Sequence, residues 1–224
     1  MKLRTPITIA LLATTAASQA VINVSLPGTT TTDGWDELVS SRLAGYGGYP
    51  GLSPWPGSVP ANVSGSSNAA EFGKTSGAGY FGTNSFYDGG NVGSLNMTST
   101  TVLSDLETIV FQVDMGASSF TSSPSLLVNG STQLSPVLSF VTEGDYSYSF
   151  GGPVSSTENH VFQWDLTGLG SVSDFEVQWD TASHTTIFAM QLDTGDEFVA
   201  IPEPSTALLT LFGLPLFFVR KRRG

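Results

Sequence analysis

Three carboxylates fall within five residues at Asp193-Thr194-Gly195-Asp196-Glu197. Ionised carboxylates are hard oxygen donors of the kind that suits Ca2+. The run lacks the ligand spacing of an EF-hand loop, so Asp193, Asp196 and Glu197 read as a solvated turn, with Ca2+ the alternative. No other cofactor is expected. The chain's 2 histidines are His160 and His184. A sheet that brought them together beside Asp180 or Glu158 would make a two-histidine, one-acid metal set; single histidines at strand ends more often pack or face water. Tyr46, Tyr49 and Trp55 lie among loops, where aromatic faces could stack on sugar rings. Gly77-Ala78-Gly79-Tyr80-Phe81-Gly82 spells a dinucleotide-binding run. Gly/Ser-rich sequence flanks it where a buried strand and a helix are needed, so the match is coincidental. Carboxylate pairs at glycosidase spacing occur in any acidic domain, and none is singled out here. Together these residues point to a non-catalytic protein.

The elements that must carry them read as strands. From residue 95 on, apolar and polar residues alternate. Ile109, Phe111, Val113 and Met115 share a face opposite Gln112 and Asp114. Tyr146, Tyr148 and Phe150 alternate with serines, Phe162, Trp164 and Leu166 with Gln163 and Asp165, and Phe175, Val177 and Trp179 with Glu176 and Gln178. A last strand runs near Thr185 to Leu192. Asn129-Gly130 supplies the positive φ of a type I′ hairpin turn. Short period-2 strands separated by turn residues imply an antiparallel β-sandwich or jelly roll, all-β in class. In it Trp164 and Trp179 pack inside. A first strand is expected at Val21 to Leu26, and a short helix from an Asp33 N-cap, with Trp35, Leu38, Val39 and Leu43 on its apolar side. Residues 44–94 hold too many Gly and Pro for regular elements and too many aromatics for a disordered linker. They read as long ordered loops and short strands folded over one side of the domain.

Charge narrows the function. Six of the chain's 8 Lys and Arg lie at its two ends, leaving Arg42 and Lys74, while all but one of its 19 acids lie between. Residues 21–201 therefore carry a net charge of −16. Such a body has no patch to neutralise phosphates, which excludes nucleic-acid partners. The chain has 0 cysteines, so thiol catalysis and Cys-ligated metals are excluded and stability must come from packing.

The ends read as addresses. Met1-Lys2-Leu3-Arg4, the apolar stretch Ile7 to Ala13 and the small-residue exit Ser18-Gln19-Ala20 make a signal peptide over 1–20, cut between Ala20 and Val21. The body follows over 21–200. At the other end Pro202-Glu203-Pro204 precedes an apolar segment at 207–219 and a basic stop at Arg220, Lys221, Arg222 and Arg223. As a short hydrophobic helix those 13 residues reach only about 20 Å. A full span needs about 20 residues, so a transient anchor fits better than a permanent transmembrane helix. The basic cluster would stay cytoplasmic, leaving the body outside. The flanking prolines block helix and strand and keep the chain around Glu203 extended.

In order and position, residues 202–224 resemble a PEP-CTERM sorting signal. The resemblance covers about a tenth of the chain. It implies a bacterium of Gram-negative type that makes extracellular polysaccharide. It also implies an exosortase, a membrane-embedded cysteine transpeptidase that recognises Pro202-Glu203-Pro204 and removes the tail. The expected partners are signal peptidase, the exosortase and exopolysaccharide, with transient inner-membrane anchoring before the body reaches the outer surface or matrix. The expected function is a non-catalytic surface or matrix protein. The alternatives are a carbohydrate-binding module acting through the loop aromatics and, behind it, a secreted hydrolase.

Overall fold

The computed structural model describes residues 24–90, 92–116, 120–149 and 152–202. Among these, strands form two antiparallel sheets. The first sheet has the order β10 (Leu138–Tyr148), β11 (Ser155–Asp165), β7 (Thr108–Gly116), β13 (Thr186–Gly195), β5 (Phe86–Tyr87) and β4 (Tyr80–Phe81). β1 (Thr30–Trp35) shares the edge of β13 with β5. The second sheet runs β2 (Val59–Pro60), β3 (Ala70–Ser76), β6 (Gly93–Ser99), β12 (Phe175–Thr181), β8 (Ser125–Val128) and β9 (Thr132–Leu134). The two sheets face each other across one apolar core, which makes the fold a β-sandwich.

Alternation puts the core together. In β6 and β12 every second residue is buried, so Leu95 and Met97 face inward with Val177 and Trp179 while Asn96, Glu176 and Gln178 face out. Phe111 of β7 meets Trp179 across the sandwich, ring centres 4.8 Å apart. Phe72 stacks on the same indole at 6.1 Å. Offset and edge contacts of this kind add about 0.5–1.5 kcal/mol each beyond area burial. The β8–β9 hairpin turns through Asn129 and Gly130 at φ 51° and 62°, and Ser131 N donates to Val128 O at 3.1 Å. Both residues have the positive φ that a type I′ turn demands.

Two expectations are corrected. Asp33 caps no helix: it lies in β1, whose six residues pair in continuous register with β13. Its buried carboxylate instead gathers the turn before β3, accepting from Ser67 Oγ (2.9 Å), Asn68 N (2.6 Å), Ala69 N (3.0 Å) and Ala70 N (2.9 Å). Trp35 and Leu38 reach the core, with Leu43 packed against it, but from a strand and the loop after it. Residues 24–26 of the expected first strand are irregular, and 21–23 lie outside the described residues. Gln112 and Asp114 lie opposite Phe111 and Val113 as the alternation places them, and both are fully buried, because β7 is central in its sheet.

Candidate functional site

Chain entry and exit lie side by side. Thr29 N donates to Asp196 Oδ1 at 2.7 Å and Asp196 N to Thr29 O at 3.2 Å, extending the Thr30–Gly195 pairing by one step. From there residues 196–202 form a strap on the face of the first sheet opposite the core. A side chain of the sheet beneath it holds it further along. Gln163 in β11 is fully buried, alternating with the core residues Phe162 and Trp164. Its Nε2 donates to Val199 O at 2.8 Å and to Thr108 Oγ1 at 3.1 Å, and its Oε1 accepts from Ile201 N at 2.9 Å. An amide that donates and accepts along one backbone mimics a strand neighbour. Pro202 follows immediately and is exposed. Glu203, Pro204, the apolar segment 207–219 and Arg220, Lys221, Arg222 and Arg223 lie outside the described residues, as do Ala20 and Val21. No helix among the described residues is long and apolar enough to cross a membrane.

The three loop aromatics separate. Trp55 is only 6 % exposed, stacked on Phe81 at 4.9 Å, with Lys74 Nζ 5.4 Å from its ring centre. It is a core residue, and its assignment to sugar stacking is corrected. Tyr46 is half-buried, its edge against Trp55 and its hydroxyl donating to Ser58 O at 2.6 Å. Tyr49 alone keeps an open ring, 79 % exposed. It begins a surface row that the sequence did not suggest: Tyr80 lies edge-on to Tyr49 at 5.7 Å and Tyr87 edge-on to Tyr80 at 5.8 Å. The hydroxyl of Tyr87 meets His184 Nδ1 at 2.6 Å. Pairing of β4 with β5 sets Tyr80 opposite Tyr87, and that pairing was the missing signal.

The carboxylate run also separates. Asp193 is buried in β13, accepting from Thr32 Oγ1 (2.7 Å), Gln191 Nε2 (2.8 Å) and Gln112 Nε2 (3.3 Å). Burial pushes its carboxyl up, against those hydrogen bonds. Asp196 holds Thr29, and Glu197 is exposed. Asp193 is thus no part of a solvated turn, since β13 continues through it to Gly195. No group of three or more His, Cys, Asp or Glu able to hold a metal occurs among the described residues. The histidines have different neighbours: His160 packs edge-on to Phe120 at 5.3 Å with Glu158 Oε2 3.4 Å away, and His184 meets Tyr87. Burial pulls the His160 imidazole down, partly offset by Glu158. Gly77–Gly82 spans a turn and the two-residue strand β4, with no helix after it.

Two polar sites were not foreseen. On the covered face of the first sheet, Asp114 accepts from Asp145 N at 3.0 Å and from the Thr157 hydroxyl, and burial pushes its carboxyl up to about 6. Nearby, the Tyr146 hydroxyl donates to Asp36 Oδ1, and its ring stacks on Phe188 at 5.3 Å. Burial and the Asp36 carboxylate push that phenol up, so it remains a donor. On the outward face of the second sheet lies a cleft of about 400 Å³. Asn96, Gln178 and Ser125 form its floor, Thr75 and Ser122–Ser123 its sides, with Glu176 and Asp180 along it. Asn96 Nδ2 donates to Glu176 Oε1 at 2.6 Å, and Ser94 Oγ to Asp180 Oδ1 at 2.7 Å. Strand periodicity puts Thr75, Ser94, Asn96, Ser125, Glu176, Gln178 and Asp180 outward; only the strand order 3-6-12-8 gathers them.

No protein-family model, curated protein or solved structure matches the chain.

Proposed function

We propose that the chain is an exported, non-catalytic surface or matrix protein, sorted by its C-terminal signal and held among extracellular polysaccharide. The observation that carries this reading is the tail: Pro202-Glu203-Pro204, the 207–219 apolar segment and the 220–223 basic stop, in that order, opposite a signal-peptide-like start. A 13-residue apolar run holds a protein at a membrane only marginally, which suits a stop before release. The fold is compatible with that handling. The strap delivers Pro202 to the surface immediately after the Gln163 clamp, so a processing enzyme would reach the chain at Pro202 without unfolding the sandwich. Once the tail is removed, the net −16 of residues 21–201 keeps the body soluble and repelled by anionic membranes.

The test is replacement of the sorting tripeptide (Pro202→Ala, Glu203→Ala, Pro204→Ala together) in a bacterium that carries the processing enzyme. The variant is expected to stay full-length in the membrane fraction and to vanish from the matrix. Arrival in the matrix at the unsubstituted level would contradict the reading.

A further inference from the structure

We propose that the outward cleft of the second sheet binds a neutral, hydroxyl-rich glycan segment. Its lining is polar, and its two large apolar neighbours, Leu95 and Trp179, belong to the inward set of their strands. A ligand that depends on apolar burial has nothing to grip there. The floor groups Asn96, Gln178 and Ser125 combine donors and acceptors, which is what a ring bearing several hydroxyls needs. The arrangement is also kept open. A Cβ on Gly73 would come 2.3 Å from Asn96 Oδ1, so the glycine leaves that amide its seat on the floor.

Charge selects among glycans. Glu176 and Asp180 flank the floor, and no Lys or Arg among the described residues lines it. The body's two cations are engaged elsewhere: Arg42 on Glu37 at 2.5 Å, and Lys74 buried with Nζ donating to Gly79 O at 2.6 Å. Uronate, sulfate and phosphate groups would meet uncompensated carboxylates, which leaves uncharged sugars.

The choice of a glycan rests on the extracellular reading above, but the binding assay does not. Purified full chain is titrated calorimetrically with cello-, laminari-, malto-, manno- and xylohexaose and with a hexameric uronate, each to about 10 mM, where a millimolar Kd still registers. At least one neutral hexasaccharide is expected to bind and the uronate not to. The paired substitution Asn96→Ala and Gln178→Ala should weaken that binding about 10-fold or more, and Gly73→Val, a strand-favouring change that displaces Asn96, should do the same. Thermal midpoints reported beside each variant guard against misfolding. No neutral hexasaccharide bound, uronate bound as tightly, or affinity unchanged in both folded variants would overturn the proposal. Failure here would leave tail processing intact, and failure of tail processing would leave this binding intact.

Discussion

Gln163→Leu isolates the clamp on the strap, because leucine fills a similar volume and can neither donate nor accept. The substitution removes the bonds to Val199 O and Ile201 N. The third bond, to Thr108 Oγ1, is lost as well, but that hydroxyl keeps its own bond to Trp164 O at 3.2 Å. At about 1 kcal/mol net per buried hydrogen bond, the strap loses about 2 kcal/mol relative to its opened form. That corresponds to roughly a 30-fold rise in the open population. The cost is local, since residues 196–202 follow the last strand. Amide hydrogen exchange reads it directly: Ile201 N–H should exchange about 30-fold faster, while Leu192 in the middle of β13 keeps its rate. An Ile201 rate within about 3-fold of the unsubstituted protein would refute the clamp, because that is under 1 kcal/mol. Equal acceleration at Leu192 would show a global loss of stability instead.

Other outcomes follow from the buried groups. Asp114 titrates near 6 in the fold against 3.8 for the free side chain, so the folded state holds its proton more tightly. Stability from this group is therefore full below about pH 4 and lost as pH rises through about 6, by about 3 kcal/mol in all. Asp88 and Asp193 are pushed the same way by burial. Asp114→Asn should flatten the fall in denaturant midpoint between pH 4 and 6; an unchanged slope would contradict the assignment. Trp55→Ala should lower stability by about 3–5 kcal/mol in urea unfolding, as loss of a core aromatic does, and a loss under 1 kcal/mol would argue for a surface ring. Tyr49→Ala should leave the stability read by urea unfolding within about 0.5 kcal/mol, because its ring is 79 % exposed, and a loss above 1 kcal/mol would argue for a packed ring.

The sandwich was legible because its strands alternate: β6, β12 and β8 bury the residues that period 2 assigns inward. Asn129-Gly130 was legible because few residue pairs adopt two positive φ angles in succession. Asp33 was misread because its helix-start signal is local, whereas pairing of β1 with β13 spans some 160 residues and wins. Trp55 was misread because Pro54 and Pro56 mark a loop without saying that the loop folds its indole onto Phe81 and Phe72. The carboxylates of 193–197 looked alike in sequence and differ only through their surroundings, one inside a covered sheet and the others at its end. The cleft and the tyrosine row could not be read at all. Both depend on which strands become neighbours, and period-2 patterning fixes which way a residue faces but not its neighbour.

Mass spectrometry of the protein recovered from the extracellular matrix tests the central claim most directly. Export with processing at both ends predicts an N-terminus at Val21 and no peptide extending beyond Pro204. Mature extracellular protein that still carries Arg220 to Gly224 would contradict it.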